Sequence, residues 1–387
     1  MIDSLRAAFV AIDWPWLARL VPRAAVAGVI GGWALAVLTT APAADSIGAP
    51  VTASWGGDYP AFQTAGRIVR GGDASRLYDP AIQQAYQAGM PTDGFLPFLY
   101  PPFVAALYAP LAGLPYRTSY AVFTLLSLAA LLAAVRAMAP ISATVRSDPW
   151  RALAAALLFY PLLRSTLGGQ NTAISLLLLC GAWRLFHDQR DLAAGVVLGL
   201  LSYKPQFLLP ISGAIVLAGR QRAAAGIVLC GAGLYAAGAA LTGWDWPAAW
   251  WSAARAFADL DRHVNAANSI SLGQLTELAG WPAGWMVMSA ALSAWVGWVA
   301  YAKGRADFFA VFAIAIAASL LIPPHAMFYD VGIALPSLLW LADRGHAREA
   351  ALLWLAGASQ MLAVAWPLSP LGVVVLVLLV LLHREVA

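Results

Sequence analysis

Apolar segments recur along almost the whole chain, and they restrict the fold more than any other feature. After a first stretch at 24–41 they follow at 99–115, 118–140, 152–167, 172–187, 192–203, 206–218, 223–241, 283–301, 307–322, 331–342, 350–366 and 371–382. Only helices and closed barrels satisfy their backbone in lipid, and a spanning helix needs roughly 20 apolar residues. The sequence therefore predicts one all-α polytopic membrane domain over 1–387, with about 11–13 membrane segments.

Charge is too scarce for a water-soluble surface. Only 11% of the residues are charged and 61% are hydrophobic, whereas soluble domains carry about 25% charged residues. The net charge of +4 forms no basic stripe, so we expect no nucleic-acid partner. Cys180 and Cys230 lie inside apolar runs, which favours packed thiols over a disulfide, and no zinc-ligand spacing occurs.

Basic residues predict the orientation, because Lys and Arg near span ends face the cytoplasm. Residues 1–22 predict a cytoplasmic interfacial helix, and 24–41 a retained first span. Basic clusters at 220–222, 303–305, 344–348 and 383–384 place the C-terminus in the cytoplasm as well. The outer loops are then 43–98 and 242–282. In the first, two short helices are expected at the outer membrane face, joined at 71–73. Because the composition is rich in alanine and glycine, as in GC-rich bacteria, the expected location is a bacterial inner membrane with these outer loops, and any site they build, on the periplasmic face.

The middle of the chain allows two topologies. Lys204-Pro205 divides the apolar run 192–218, and a broken helix at membrane depth is tolerated only beside protein or a watery cavity. If the run is one broken span, the basic loops at 146–151 and 184–190 fall outside. If it is a re-entrant pair, they fall inside, but then 99–115 cannot cross. The positive-inside rule favours the second topology, segment lengths favour the first, and both stay open.

Ionisable and amide groups near hydrocarbon are costly, so they mark candidate sites. Asp58 follows two glycines and predicts either a general base or the N-cap of a helix. Each other group also has a structural alternative. Tyr100 could be an aromatic anchor, Gln170 and Asn171 could cap helices or bond between them, and Lys204 could snorkel to the interface. His325 could be a structural histidine, and the polar part of the second outer loop could simply be solvated. The candidate binding residues are Tyr100, Gln170, Asn171, Lys204, Gln206, His263, Asn268 and Tyr329, with His325 as a second candidate catalytic group.

The order of several short motifs resembles glycosyltransferase family 87, a GT-C group of polyprenol-phosphate-mannose-dependent mannosyltransferases. The motifs run from about residue 50 to 335: Gly57-Asp58-Tyr59, Leu77-Tyr78-Asp79, Tyr100-Pro101-Pro102, Gly169-Gln170-Asn171, Lys204-Pro205-Gln206, Asn268-Ser269 and Pro324-His325. Each motif is short, and several occur in other GT-C enzymes. Their order and spacing give the resemblance its specificity.

The resemblance implies a GT-C fold and an inverting transfer. Asp58 would deprotonate the acceptor hydroxyl, and His325 would lie near the donor phosphate. Lys204, Gln170 and Asn171 would line the cavity. A polyprenyl-phosphate sugar donor, a lipid or glycan acceptor and the bilayer are the implied partners. No cofactor and no obligatory metal are expected.

Two other functions compete with the transferase. A transporter or lipid flippase also has broken helices and a buried lysine, but no convincing internal repeat is present in the sequence. A structural partner in a membrane complex predicts that the polar groups do not converge on one cavity.

Overall fold

The structure is almost entirely helical. The computed structural model describes residues 14–39, 56–90, 92, 94–364 and 369–386, with side chains left out at 14–19, 36–39, 259–264, 266, 278 and 363–364. Within these residues the only β-type pairing is one isolated bridge, between Ser269 and Met327. The all-α class predicted from the apolar segments is confirmed.

The first part of the chain forms helices of very different length. They are α1 (Trp14–Thr39), α2 (Tyr59–Arg70), α3 (Pro80–Gln87), α4 (Pro102–Tyr108), α5 (Tyr116–Met138), α6 (Ala143–Ser147), α7 (Pro149–Leu158) and α8 (Tyr160–Leu167). Helix α1 continues through Pro22, so the expected division between an interfacial helix and a first span is absent from 14–39. Residues 1–13 lie outside the described part of the chain. Two short helices with a turn at 71–73 are found in the first loop, as predicted.

The rest of the chain alternates short and long helices. They are α9 (Thr172–His187), α10 (Asp191–Gly199), α11 (Pro205–Leu217), α12 (Gln221–Thr242), α13 (Trp246–Val264), α14 (Leu272–Leu278), α15 (Gly284–Lys303), α16 (Phe308–Ser319), α17 (Leu335–Asp343), α18 (Ala347–Ala356) and α19 (Leu371–Arg384). Helix α16 is apolar all round and buried along nearly its whole length, as a helix at the centre of a bundle should be.

Three helices of the described residues are long and apolar enough to cross a membrane alone: α5, α12 and α15. Six shorter apolar helices accompany them. These helices support a membrane protein, whereas the expected total of segments and the position of α2 and α3 at the membrane surface stay predictions. Cys180 and Cys230 are both free, as the apolar context indicated.

One end of the bundle collects the charged connections, and we call it the charged end. The Arg220 guanidinium lies 3.3 Å from the Asp191 carboxylate, and Arg344 pairs with Asp307. The Asp343 carboxylate accepts from the Thr144 backbone N–H at 2.8 Å. Further contacts join His346 to Glu385. The loops predicted to face the cytoplasm therefore share one end, although the side of the membrane stays a prediction.

The ion pair between Arg220 and Asp191 brings the two ends of 191–220 together at the charged end. Helices α10 and α11 therefore form a hairpin with Lys204 at its tip, as the second of the two topologies requires, and we call this hairpin the re-entrant pair; its position in the membrane stays a prediction. Helix α11 has 13 residues, about 20 Å, which is well short of a 30 Å hydrocarbon layer. Helix α4 has only seven residues and cannot cross by itself.

Small residues hold the re-entrant pair against its neighbour. A Cβ atom on Gly195 of α10 would lie 1.9 Å from the Ala223 carbonyl oxygen of α12. A Cβ atom on Gly226 would lie 2.3 Å from the Leu192 carbonyl oxygen. Glycine at both positions lets the two backbones touch, which is how membrane helices commonly associate. This contact fixes the position of the re-entrant pair against α12.

Candidate functional site

Two glycine turns lock together at the end of the bundle opposite the charged end. Gly57 has φ +52° and Gly169 has φ +66°, backbone conformations that favour glycine. The Asp58 backbone N–H donates to the Gly168 carbonyl oxygen at 3.0 Å. A Cβ atom on Gly169 would lie 2.4 Å from the Gly56 carbonyl oxygen. The turn before α2 and the turn before α9 are therefore in direct backbone contact.

Asp58 uses its side chain across this contact rather than within its own helix. It occupies the N-cap position of α2 but makes no side-chain capping bond. Instead its carboxylate Oδ2 accepts a hydrogen bond from Gln170 Nε2. The capping interpretation of Asp58 is therefore wrong, and its half-buried carboxylate belongs to a tertiary polar cluster.

Gln170 and Asn171 bring buried amide oxygens to the same place. Each residue is only 3% exposed. Asn171 is the N-cap residue of α9 but makes no side-chain capping bond. Gln170 Oε1 and Asn171 Oδ1 have no hydrogen-bond donor among the described residues. Since unpaired buried acceptors cost free energy, a ligand hydroxyl placed there would be well bound.

Lys204 is buried and paired. Its side chain is 3% exposed, and Nζ lies 2.6 Å from Asp330 Oδ1, a carboxylate 4% exposed. Nζ also lies 6.0 Å from the centroid of the Tyr329 ring and 5.6 Å from that of Phe207. Lys204 therefore does not snorkel. It sits at the tip of the re-entrant pair against the start of the helical turn Phe328–Ala334.

Tyr100 links the Asp58 side of the site to the Lys204 side. It lies outside the candidate spans, and its backbone carbonyl accepts from the Tyr78 hydroxyl at 2.8 Å. Burial raises the pKa of the Tyr100 phenol well above its ordinary value. The negative charges of Asp330 and Asp58 raise this pKa further, while a hydrogen bond from Asn171 opposes the rise. The Tyr100 phenol therefore interacts electrostatically with both the Asp58 and the Asp330 carboxylate.

The second outer loop joins the turn that carries His325. Ser269 pairs with Met327 as an isolated bridge, and the Ile270 N–H donates to the Ala326 carbonyl oxygen at 2.9 Å. Asn268 ends the short helical turn immediately before this pairing. His325 is exposed on the turn. The loop 242–282 and the proline-flanked turn therefore form one local structure.

A continuous path of contacts connects the His325 turn to Asp58. The Met327 N–H donates to Asp330 Oδ2 at 3.2 Å, and the Thr172 hydroxyl lies 3.5 Å from Asp330 Oδ1. Thr172 starts the helix that directly follows Gln170, the partner of Asp58. Polar groups from four separate parts of the chain therefore converge, which counts against a purely structural role.

The remaining predicted binding residues surround this cluster to different degrees. Gln206 is half-buried in the first turn of α11, and Tyr329 is half-buried next to Lys204. The His263 side chain lies outside the described residues. The indole N–H of Trp250 donates to the Leu99 carbonyl oxygen at 2.9 Å, which ties α13 to the segment before Tyr100. Trp250 therefore packs on protein rather than acting only as a membrane anchor.

The family comparison agrees with the helical membrane fold. The model of glycosyltransferase family 87 matches residues 98–324, more than half of the chain. The chain belongs to glycosyltransferase family 87. No curated protein and no solved structure matched it. The matched range includes Gln170, Asn171 and Lys204, whereas Asp58 and His325 lie outside it.

For this family 87 membrane glycosyltransferase, sequence reasoning missed two residues of the cluster. Asp330 was visible as the acidic residue of an apolar region, and a buried lysine requires a partner of this kind. Tyr203 has its hydroxyl 2.7 Å from the Ser175 hydroxyl, and its ring centroid lies 6.4 Å from that of Tyr100. Because both contacts are long-range, spacing along the chain gave no sign of them.

Together these groups can perform proton removal and anion binding in one place. Asp58 supplies a carboxylate held by one amide, and Lys204 supplies a buried cation. A glycosyltransferase needs both functions, because it deprotonates an acceptor hydroxyl while a phosphate leaves the donor.

Proposed function

We propose that this glycosyltransferase moves a hexosyl group, expected to be mannosyl, from a polyprenyl-phosphate sugar to a lipid or glycan acceptor. The reaction takes place on the periplasmic face of a bacterial inner membrane. The observation that carries the proposal is the contact path from Asp58 through Gln170 and Thr172 to Asp330, Lys204 and the His325 turn. A base and an anion-binding group thus belong to the same end of one bundle.

Asp58 acts as the general base of the proposed reaction. Its carboxylate takes the proton of the acceptor hydroxyl, and the hydroxyl oxygen attacks the anomeric carbon of the donor sugar. The bond between that carbon and the phosphate oxygen breaks, and the lipid phosphate leaves with the electron pair. Attack from the side opposite the phosphate inverts the anomeric configuration. Gln170 Nε2 fixes one carboxylate oxygen during this step.

The leaving phosphate is stabilised by groups on the other side of the cluster. Lys204 has three N–H donors and uses one toward Asp330, so it can still donate to a phosphate oxygen. His325 donates to the same phosphate. Fixed donors of this kind stabilise charge as it develops. Tyr100, Gln206 and Tyr329 line this side of the sugar and phosphate.

The acceptor and donor sugars meet the amide-rich side of the site. Asn171 Oδ1 and Gln170 Oε1 accept hydrogen bonds from sugar hydroxyls, since both oxygens are buried and lack a donor among the described residues. Asn268 contacts the part of the acceptor nearest the second outer loop, and substrate binding by His263 stays a prediction from the sequence.

Asp58→Asn tests the proposal in purified protein reconstituted in lipid. The substrates are labelled polyprenyl-phosphate mannose, the glucose analogue for comparison, and a panel of lipid and glycan acceptors. Removing the base should lower turnover by about 10²–10⁴-fold, the usual contribution of general base catalysis, with donor affinity nearly unchanged. Asp73→Asn is the matched control, because Asp73 lies in the same loop and bonds Tyr86 rather than the cluster. Full turnover of Asp58→Asn would refute the base assignment.

A further inference from the structure

Asp330 is a buried carboxylate to which the proposed reaction assigns no role. It is 3% exposed, and it receives Lys204 Nζ at 2.6 Å, the Met327 N–H at 3.2 Å and the Thr172 hydroxyl at 3.5 Å. These three partners come from the tip of the re-entrant pair, the His325 turn and the start of α9. A single side chain therefore joins the three segments that carry the anion-binding and amide groups.

The contact between Lys204 and Asp330 places a carboxylate directly against a buried ammonium group. A lysine buried without a partner loses its proton readily, because desolvation penalises the charged form and lowers its pKa. An adjacent carboxylate reverses this effect. Asp330 is the carboxylate in contact with Nζ at the tip of the re-entrant pair.

In the described part of the chain, three phenols interact with the pair. Tyr329 faces Nζ, while Tyr100 and Tyr203 interact electrostatically with Asp330. Phenols do not ionise near neutral pH. Asp58 acts on the same Tyr100 phenol, and His325 lies on the adjoining turn.

We propose that Asp330 is a positioning residue that keeps Lys204 protonated and aims it, together with the His325 turn, at the phosphate of the donor lipid. The proposal rests on the function proposed above. The Asp330 carboxylate does not touch the sugar or the phosphate, and it acts through Lys204 Nζ and the Met327 N–H. Its loss therefore makes donor binding dependent on pH, whereas loss of a merely structural contact weakens binding equally at every pH.

The test measures binding of polyprenyl-phosphate mannose, without acceptor, to protein in lipid nanodiscs between about pH 7.5 and pH 9.5, which lies above the ordinary pKa of a histidine and well above that of a phosphodiester. Wild-type affinity should stay constant over this range. Asp330→Asn keeps the size of the side chain but removes its charge. Its affinity should fall about tenfold for each pH unit above the lowered lysine pKa, because one proton is linked to binding.

Arginine provides the matched variant, because a guanidinium stays charged in proteins. The double variant Lys204→Arg with Asp330→Asn should bind the donor with a flat pH profile, and Asp330→Glu should restore the wild-type profile. A flat profile for Asp330→Asn, or a sloping one for the double variant, would overturn the proposal.

Two further controls separate misfolding and failure of the proposed function from failure of this inference. Size-exclusion profiles establish which variants are folded. If Asp330→Asn alone does not fold, Lys204→Gln with Asp330→Asn removes both charges, and it should bind donor weakly at every pH. Wild-type affinity in that variant would equally overturn the role of Asp330. If the wild-type protein binds no donor at any pH, the proposed function fails instead.

Discussion

Replacing Gly169 by alanine tests how closely the two glycine turns fix the Asp58 carboxylate. The added Cβ atom would lie 2.4 Å from the Gly56 carbonyl oxygen and 2.5 Å from Tyr59 Cβ, whereas ordinary contacts begin at 3.4 Å. The turns must therefore separate by about 1 Å, a displacement that can cost about 100-fold in rate at a catalytic group. The positive φ adds roughly 1–2 kcal/mol of backbone strain for a residue with a Cβ atom.

Gly280→Ala is the matched control for this substitution. Gly280 has φ +71°, close to the +66° of Gly169, but a Cβ atom there meets nothing within 4 Å. Both variants carry the backbone strain, and only Gly169→Ala pushes Asp58 away from Gln170. We expect turnover of Gly169→Ala to fall about 100-fold below that of Gly280→Ala, with thermal unfolding recorded for both. Equal turnover of the two variants would show that the turn contact does not set the position of the base.

Two further substitutions test the other side of the site and the element that carries it. His325→Ala should raise the donor Michaelis constant or lower turnover. His187 is exposed at the charged end, so His187→Ala should change neither quantity. If the His325→Ala variant keeps both the donor Michaelis constant and the turnover of the wild type, a role of His325 in phosphate binding is refuted. Gly195→Ala forces a Cβ atom against the Ala223 carbonyl and should destabilise the protein by about 1–3 kcal/mol. Gly213→Ala in α11 meets nothing within 4 Å and should be neutral or slightly stabilising, so similar melting temperatures would refute the packing argument.

The apolar pattern predicted the helices well because the bilayer imposes their length and composition. The apolar run at 223–241 corresponds to the helix Gln221–Thr242, and the run at 118–140 corresponds to the helix Tyr116–Met138. The Lys204-Pro205 break was also visible, since proline removes a helix hydrogen bond. What the pattern left open was the path of the chain on either side of the break. The ion pair between Arg220 and Asp191 shows that path, and it joins residues 29 positions apart, so no local preference encodes it.

The partners of the polar residues were harder to predict than the residues themselves. Gln170 lies 112 positions from Asp58, and Asp330 lies 126 positions from Lys204. Local rules predicted a cap for Asp58 and Asn171 and a snorkelling lysine at position 204. Each of these local solutions was replaced by a tertiary contact, because the helix ends meet at one place and offer a better partner there.

The location of the candidate site follows from the need to pair the N–H and C=O groups of non-helical backbone in a membrane protein. Non-helical segments at membrane depth are tolerated only where protein or a cavity satisfies their N–H and C=O groups. In this protein the non-helical segments satisfy each other's backbone groups. The Asp58 N–H donates to the Gly168 carbonyl oxygen, and the Ile270 N–H donates to the Ala326 carbonyl oxygen. The tip of the re-entrant pair adds Lys204 to the same region. Concentrating its breaks in one place gives this glycosyltransferase a polar region in an otherwise apolar bundle, and this is the region to which we assign binding of the proposed donor, a sugar phosphate attached to a lipid.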